Sequence, residues 1–222
     1  MKIIIYDFDG TLTPSSVPRY KVLDKEIDVI GLLKDNFTKS NNIYDLFYNF
    51  YFNEFKKLNC KITDEILCSG SKDITYSDGV VSYLEEISNK GVKNYLLSSG
   101  LKIYLENTII AKYFEKIYGT TLKYHNNEVI GLDYMMTDKD KVKTIKQIVQ
   151  DNSLSDCKDI IYIGDGLTDM EAFKYIYDNG GISIFVYGNK EKIIKQPFIS
   201  YYLKRDYTKD SEFRKLIESI ID

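Results

Sequence analysis

The sequence predicts an α/β fold, a mostly parallel sheet with helices on both faces, interrupted by a small all-α subdomain. Three observations predict it. Short apolar, β-branched runs recur at Ile3 to Tyr6, Val92 to Leu97, Asp159 to Ile163 and Ile182 to Tyr187. They show no polar alternation, as expected of strands covered on both faces. Stretches with apolar residues at helical spacing separate most of them. Between the first run and the second, from Pro14 to Tyr76, strand patterning is missing and helical spacing prevails.

The first run ends in Asp7-Phe8-Asp9-Gly10-Thr11-Leu12-Thr13. In an open α/β sheet, ligands bind outside the carboxyl ends of the strands. Side chains at i and i+2 of an extended chain point the same way, so Asp7 and Asp9 converge. Gly10 then frees the backbone to turn. Two close carboxylates repel unless a cation or a shared proton intervenes, and a hard divalent ion such as Mg²⁺ suits oxygen ligands. With a metal present, one Asp can attack a phosphoryl group and the other can donate a proton. A pair of turn or cap aspartates is the plainer alternative for Asp-x-Asp alone.

Pro14, Ser15, Ser16 and Pro18 read as a linker. Leu23, Ile27, Ile30 and Leu33 then mark one helix, and Ile43, Leu46, Phe47, Phe50, Tyr51, Phe55 and Leu58 a second, capped by Ser40-Asn41-Asn42. Tyr44, Tyr48 and Phe52 lie off that stripe. A third, shorter helix is expected near Thr63-Asp64-Glu65. Residues 14–76 are therefore a helical insert, and residues 1–13 and 77–222 the core. A turn at Tyr76 to Gly79 returns the chain.

Val80 to Lys90 reads as a helix that Gly91 stops. The strand Val92 to Leu97 ends in Ser98-Ser99-Gly100, where the Ser98 hydroxyl can donate to a phosphoryl oxygen or simply cap a helix. A helix with Leu101, Leu105, Ile109 and Phe114 inward, a short strand at Lys116 to Gly119, and a hairpin around Asn126-Asn127 should follow. Thr137-Asp138-Lys139-Asp140-Lys141 opens a helix with Val142, Ile145, Ile148 and Val149 inward. The run Asp159 to Ile163 ends in Gly164-Asp165-Gly166-Leu167-Thr168-Asp169, whose aspartates offer further oxygen ligands. Met170, Phe173 and Tyr177 face inward from the next helix. Strand Ile182 to Tyr187, a short helix Glu191 to Lys195, an edge strand Phe198 to Leu203 and a C-terminal helix with Phe213, Leu216, Ile217, Ile220 and Ile221 complete the core.

Composition narrows the function. A chain of 222 residues, 44% hydrophobic, can bury a sizeable core. The net charge of −3 gives no electrostatic case for nucleic acid or an anionic membrane. Cys60, Cys68 and Cys157 are scattered, with no Cys-x-x-Cys spacing, so neither a zinc site nor a disulfide framework is indicated. The single histidine, His125, sits in a polar turn and argues against a Ser-His-Asp triad. No apolar run reaches membrane-spanning length, and the N-terminal one is too short for a signal peptide. The expectation is a soluble cytoplasmic protein, monomer or homodimer.

Asp7 to Thr13, the strand-end Ser98, a Lys at the start of the helix after the hairpin, and Gly164-Asp165-Gly166-Leu167-Thr168-Asp169 occur in the order of the motifs of the haloacid dehalogenase-like hydrolase superfamily, which the sequence resembles. The layout resembles its phosphoserine-phosphatase-like branch. The resemblance implies a Rossmann-like core, a cap formed by the helical insert, and Mg²⁺ as cofactor. It implies Asp7 as nucleophile and Asp9 as general acid/base, giving an aspartyl-phosphate. Ser98 and Lys141 would bind the phosphoryl group. Asp7, Asp9 (through its carbonyl), Asp165 and Asp169 would hold the metal. Lys139 is the rival to Lys141. The acid at Asp9 argues against dehalogenases and ATPase pumps of the superfamily, and leaves phosphatase or phosphomutase. The departures are at Ser16, where phosphoserine phosphatases carry a Glu, and in the insert, where Arg19 is the one Arg. The reading is a phosphatase for a small phosphomonoester other than phosphoserine. The alternatives are a Mg²⁺-binding regulatory domain with little turnover, a phosphomutase or a phosphoprotein phosphatase.

Overall fold

The four residues of β1 (Ile3–Tyr6) have no exposed surface, because successive side chains serve opposite sides of the sheet. Ile4 and Tyr6 join one hydrophobic cluster and Ile3 and Ile5 the other. This two-sided burial explains why the run carries no polar residue. The computed structural model describes residues 2–14, 61–188, 193 and 195–221.

After β1 the described elements are α1 (Asp64–Cys68), α2 (Val80–Asn89), β2 (Lys93–Leu101), α3 (Lys102–Glu106), β3 (Lys116–His125), β4 (Glu128–Tyr134), α4 (Asp138–Asp151), β5 (Ile160–Gly164), α5 (Met170–Asp178), β6 (Ile182–Tyr187), β7 (Tyr201–Lys204) and α6 (Glu212–Ile221), with short 3₁₀ turns at Ala111–Tyr113 and Leu167–Asp169. They form one seven-stranded sheet of order β4-β3-β2-β1-β5-β6-β7. Every pairing is parallel except the β3–β4 hairpin. Helices α2 and α6 cover one face through Tyr83, Leu84, Ile87, Phe213 and Ile217. Helices α4 and α5 cover the other through Ile145, Ile148, Ala172, Phe173 and Ile176. The Rossmann-like α/β core stands as the sequence predicts. The order reverses at β1, with β2 on one side and β5 on the other, which puts the end of β1 at the crevice where ligands bind.

Several elements differ from expectation. Strand β2 runs on to Leu101, so Ser98 lies inside it and not at its end. The ladder with β3 shifts register between Leu97 and Leu101, and the Thr120 hydroxyl donates to the Ser99 carbonyl (2.8 Å), which keeps the two strands joined past the shift. The helix expected to carry Leu101, Leu105, Ile109 and Phe114 runs only from Lys102 to Glu106, with Leu101 in β2 and Phe114 extended after the 3₁₀ turn. Asn107 Nδ2 and Thr108 Oγ1 donate to the Ile103 and Leu105 carbonyls (2.8 Å each), and Ile109 is left 47% exposed. Strand β3 is longer than its first four residues because it continues into the hairpin, whose turn places Asn126 and Asn127 at positive φ. On α5 the buried stripe is Ala172, Phe173 and Ile176, and Tyr177 stands 47% exposed on its shoulder.

Of the expected insert, Pro14 and residues 61–76 are described. Helix α1 begins at Asp64, as expected. Ile62 and Leu67 pack with Leu101, Tyr104, Leu122 and Val129 on the hairpin side of the core. The helices expected around Leu23 to Leu33 and Ile43 to Leu58, together with Ser16 and Arg19, lie outside the described residues, as does most of the one expected over residues 191–195.

Candidate active site

Asp7 continues β1 by one residue. Its N–H donates to the Ile163 carbonyl (2.8 Å), and its side chain follows Ile3 and Ile5 to the α4 face. Helix α4 starts with a capping box in which Thr137 Oγ1 accepts from the Asp140 N–H and the Asp140 carboxylate accepts from the Thr137 N–H. The cap fixes where the first turn begins, and Lys141 then points into the protein. It has no exposed surface, and its ammonium donates to Asp7 Oδ1 and Asp169 Oδ1, each at 2.7 Å. The rival Lys139 is exposed, and its backbone N–H takes the neighbouring Asp138 carboxylate.

Asp169 is fully buried and meets four donors. Oδ1 accepts from Lys141 and from the Tyr162 hydroxyl (2.6 Å), and Oδ2 from the N–H groups of Asp165 and Gly166 (3.2 Å each). Gly164 is required beside it, since a Cβ there would lie 2.6 Å from Asp169 Cγ. Asp169 therefore ties Lys141 to the turn that presents Asp165. Oxygens of Asp7, Asp165 and Asp169 all lie within 4.8 Å of one another. Asp9 is half-buried, and its carboxylate is not one of that group. Asp9 and Ser98 instead lie beside Gly100: a Cβ on Gly100 would lie 3.2 Å from Ser98 Oγ and 3.8 Å from Asp9 Oδ2. Ser98 Oγ, itself buried, accepts from the Gly100 N–H (3.0 Å). The residues singled out in the sequence thus gather where β1 and β5 end and α4 begins, beside Ser98 within β2.

The electrostatics of this cluster are those of an acid-rich pocket. Burial lifts the Asp7 carboxyl to about 6; the Lys141 ammonium opposes this and the charge of Asp169 adds to it. Burial, with the charges of Asp7 and Asp169, lifts Asp165 to about 8, against the cations of Arg205 and Lys141. Burial pulls Lys141 toward neutrality, but Asp169 and Asp7 outweigh it and hold the ammonium well above its ordinary value. Fully ionised, the three acids outnumber the two cations, Lys141 and Arg205, that act on them.

A divalent cation fits the donor set. The ligand atoms on offer are hard carboxylate oxygens, with His125 exposed at the hairpin and Cys68 and Cys157 elsewhere, which favours Mg²⁺ over a thiophilic metal.

Three contributors carried no motif. Tyr162 is the polar residue inside the β5 run. Arg205 follows β7; it donates through Nη1 to the Gly10 carbonyl and through Nη2 to the Pro14 carbonyl (2.8 Å). The Tyr207 hydroxyl donates to the Thr11 carbonyl (3.1 Å). One signal was available for Arg205, since the chain holds three arginines among its 30 basic residues.

An open parallel sheet whose central strand ends in a carboxylate, paired with a buried lysine and joined by the acids of the next strand, defines a class of hydrolases. The chain belongs to it: the haloacid dehalogenase-like hydrolase family matches residues 4–174. Solved structures agree on the fold. A HAD family hydrolase from Salmonella enterica subsp. enterica serovar Typhi is 19% identical, with TM-score 0.72, over 99% of this chain and 71% of that one. A phosphoserine phosphatase in apo form is 18% identical, with TM-score 0.64, over 98% of both chains. The Kelch repeat and BTB domain-containing protein 2 of ectromelia virus (strain Moscow) is 27% identical over 143 residues, 58% of this chain; the match spans 25% of that protein's length. Among the described residues, no helix is long and apolar enough to cross a membrane.

Proposed function

We propose that this hydrolase is a Mg²⁺-dependent phosphatase acting on a small phosphomonoester through an aspartyl-phosphate on Asp7. The observation that carries the reading is the buried Lys141 ammonium held 2.7 Å from both Asp7 and Asp169, with Asp165 completing the acidic group. An acid held by an ammonium at the end of the central strand is suited to attack on phosphorus, and phosphoryl transfer asks mainly for positioning and neutralisation of charge. The solved phosphoserine phosphatase with the same fold favours phosphate-ester chemistry over other hydrolyses.

In the proposed reaction an Asp7 carboxylate oxygen bonds to phosphorus as the ester P–O bond breaks. Asp9 gives its proton to the departing oxygen. Asp9, now a base, takes a proton from water; the water oxygen attacks phosphorus and releases Asp7 and inorganic phosphate. Ser98 and Lys141 hold the phosphoryl oxygens. Asp7, the Asp9 carbonyl and Asp165 would hold Mg²⁺, with Asp169 contacting it through water because four donors already occupy its oxygens. When bound, the ion neutralises the acids and polarises the phosphoryl group. Residues 14–76 serve as the cap, and a cap over the site favours small metabolites in the cytoplasm over phosphoproteins. The substrate differs from phosphoserine, because Ser16 replaces the family's Glu and the insert's one Arg is Arg19.

The test is hydrolysis of p-nitrophenyl phosphate and a panel of metabolite phosphates by the purified protein, with Mg²⁺ and with EDTA, beside Asp7→Asn. Turnover that requires both Mg²⁺ and Asp7 is expected, with phosphoserine not preferred. Absence of turnover across the panel would overturn the enzyme reading in favour of a regulatory domain, and a strong preference for phosphoserine would overturn the substrate reading.

A further inference from the structure

The turn after β1 is held from outside by the C-terminal part of the chain. The N–H groups of Thr11, Leu12 and Thr13 all point at the Phe8 carbonyl (3.3, 2.9 and 3.2 Å). The carbonyls of Gly10, Thr11 and Leu12 therefore face away from the turn, and each needs a partner. They find Arg205 Nη1, the Tyr207 hydroxyl (3.1 Å) and the Ser77 N–H (2.9 Å). Arg205 Nη2 adds the Pro14 carbonyl (2.8 Å), at the first residue of the insert. The same stretch grips the chain where it returns: the Tyr207 N–H donates to the Asp78 carbonyl (2.8 Å), and a Cβ on Gly79 would lie 2.5 Å from the Tyr207 carbonyl carbon. The stretch is itself fixed to the sheet, since the Arg205 N–H donates to the Tyr187 carbonyl at the end of β6 (2.8 Å).

We propose that Arg205 is a positioning residue of the active site, which holds the Gly10 peptide at the place where Asp9 and Asp165 must meet. Gly10 follows Asp9 directly, and the Asp165 carboxylate rests against it. A shift of that peptide would move the Asp9 carbonyl and the surface supporting Asp165 together. The planar fork of an arginine can span two carbonyls, whereas the single ammonium of lysine satisfies such a pair poorly. In a chain that uses lysine almost throughout, an arginine stands where two carbonyls four residues apart must be bridged.

This rests on the phosphatase reading, and the test separates the two. Arg205→Ala, Arg205→Lys and the wild type, each as the full chain, are compared by the Mg²⁺ concentration needed to raise the melting temperature and by kcat and KM on p-nitrophenyl phosphate. The expected result for Arg205→Ala is a roughly tenfold or greater rise in the Mg²⁺ requirement and a similar fall in kcat, with KM within about twofold. Millimolar guanidinium should restore part of both, and Arg205→Lys should fall between. A folded Arg205→Ala protein with wild-type Mg²⁺ titration and kcat overturns the proposal. If the wild type turns over no ester, the phosphatase reading fails alone. The Mg²⁺-dependent melting shift then decides on Arg205, a raised requirement supporting it and an unchanged one overturning it. Where Arg205→Ala does not fold, Tyr207→Phe and Arg205→Lys take its place, and wild-type Mg²⁺ titration in both overturns the proposal.

Discussion

The carboxylate of Asp165 rests directly on Gly10: a Cβ at that position would lie 2.1 Å from Asp165 Oδ2. Gly10 also has φ +76°, a conformation that side chains disfavour. Gly10→Ala therefore meets two obstacles, about 1–2 kcal/mol of backbone strain and a clash that displaces Asp165 or the Asp9 peptide. We expect the variant to fold with a lowered melting temperature and to lose most Mg²⁺-dependent stabilisation and turnover. Wild-type Mg²⁺ titration in Gly10→Ala would mean that Asp165 takes no part in binding the ion.

Lys141→Met removes the cation between Asp7 and Asp169 while keeping much of its volume. Stranding buried charges in this way costs about 3–5 kcal/mol. The loss should depend on pH, because Asp7 already titrates near about 6 and rises further without the ammonium. Below that range the proton replaces the lysine, so the deficit measured by urea unfolding should be smaller at about pH 5 than at about pH 8. Turnover should fall by about 10²–10³ or more at either pH. An equal stability deficit at both pH values would contradict the assignment of the pair.

The metal-free protein should lose stability as pH rises. Burial, reinforced by neighbouring acids, puts the folded-state carboxyls of Asp7 and Asp165 at about 6 and about 8, above their ordinary value of 3.8. A carboxyl with a raised folded pKa binds its proton more tightly in the folded state, so its contribution is full below about pH 4 and is lost as pH climbs through those values. Mg²⁺ at the proposed site would act in the opposite direction, since it would displace the protons and bind better as they leave. Melting temperatures in EDTA should fall from about pH 5 to about pH 8.5, and the increment from added Mg²⁺ should grow over the same range. A flat curve in EDTA would show that the acids are not crowded in solution.

How much of this was legible in the sequence follows from where each constraint resides. Asp7, Asp165 and the glycines beside them could be read because a strand end and a tight turn impose local residue types. Lys141 and Lys139 differ by the facing of one helix turn, which the capping box at Thr137 settles. Ser98 was placed at its strand's end, but the strand runs on to Leu101 because β3 continues alongside through Thr120, a long-range pairing without a local signature. Ile109 was misplaced because side-chain bonds from Asn107 and Thr108 ended the helix, and periodicity does not register such bonds. Arg205 and Tyr207 serve carbonyls nearly two hundred residues away, so only the folded chain brings them to the turn.

The last prediction separates the two roles given to Asp9. As general acid it matters in proportion to how much proton help the leaving group needs. As general base it would be needed to hydrolyse the proposed aspartyl-phosphate whatever group has left. Its carboxylate, which like Ser98 Oγ lies beside Gly100, is half-buried and outside the acidic group of Asp7, Asp165 and Asp169. Asp9→Asn should therefore leave that group intact and keep the Mg²⁺-dependent melting shift. On an alkyl phosphate, whose leaving alkoxide must be protonated, turnover should fall by about 10²–10⁴. On p-nitrophenyl phosphate, whose phenolate leaves unaided, the variant should release a burst of nitrophenol close to one equivalent per enzyme and then turn over slowly as the phosphorylated Asp7 accumulates. Equal losses on both esters with no burst would remove Asp9 from both steps and place the proton donor on another residue.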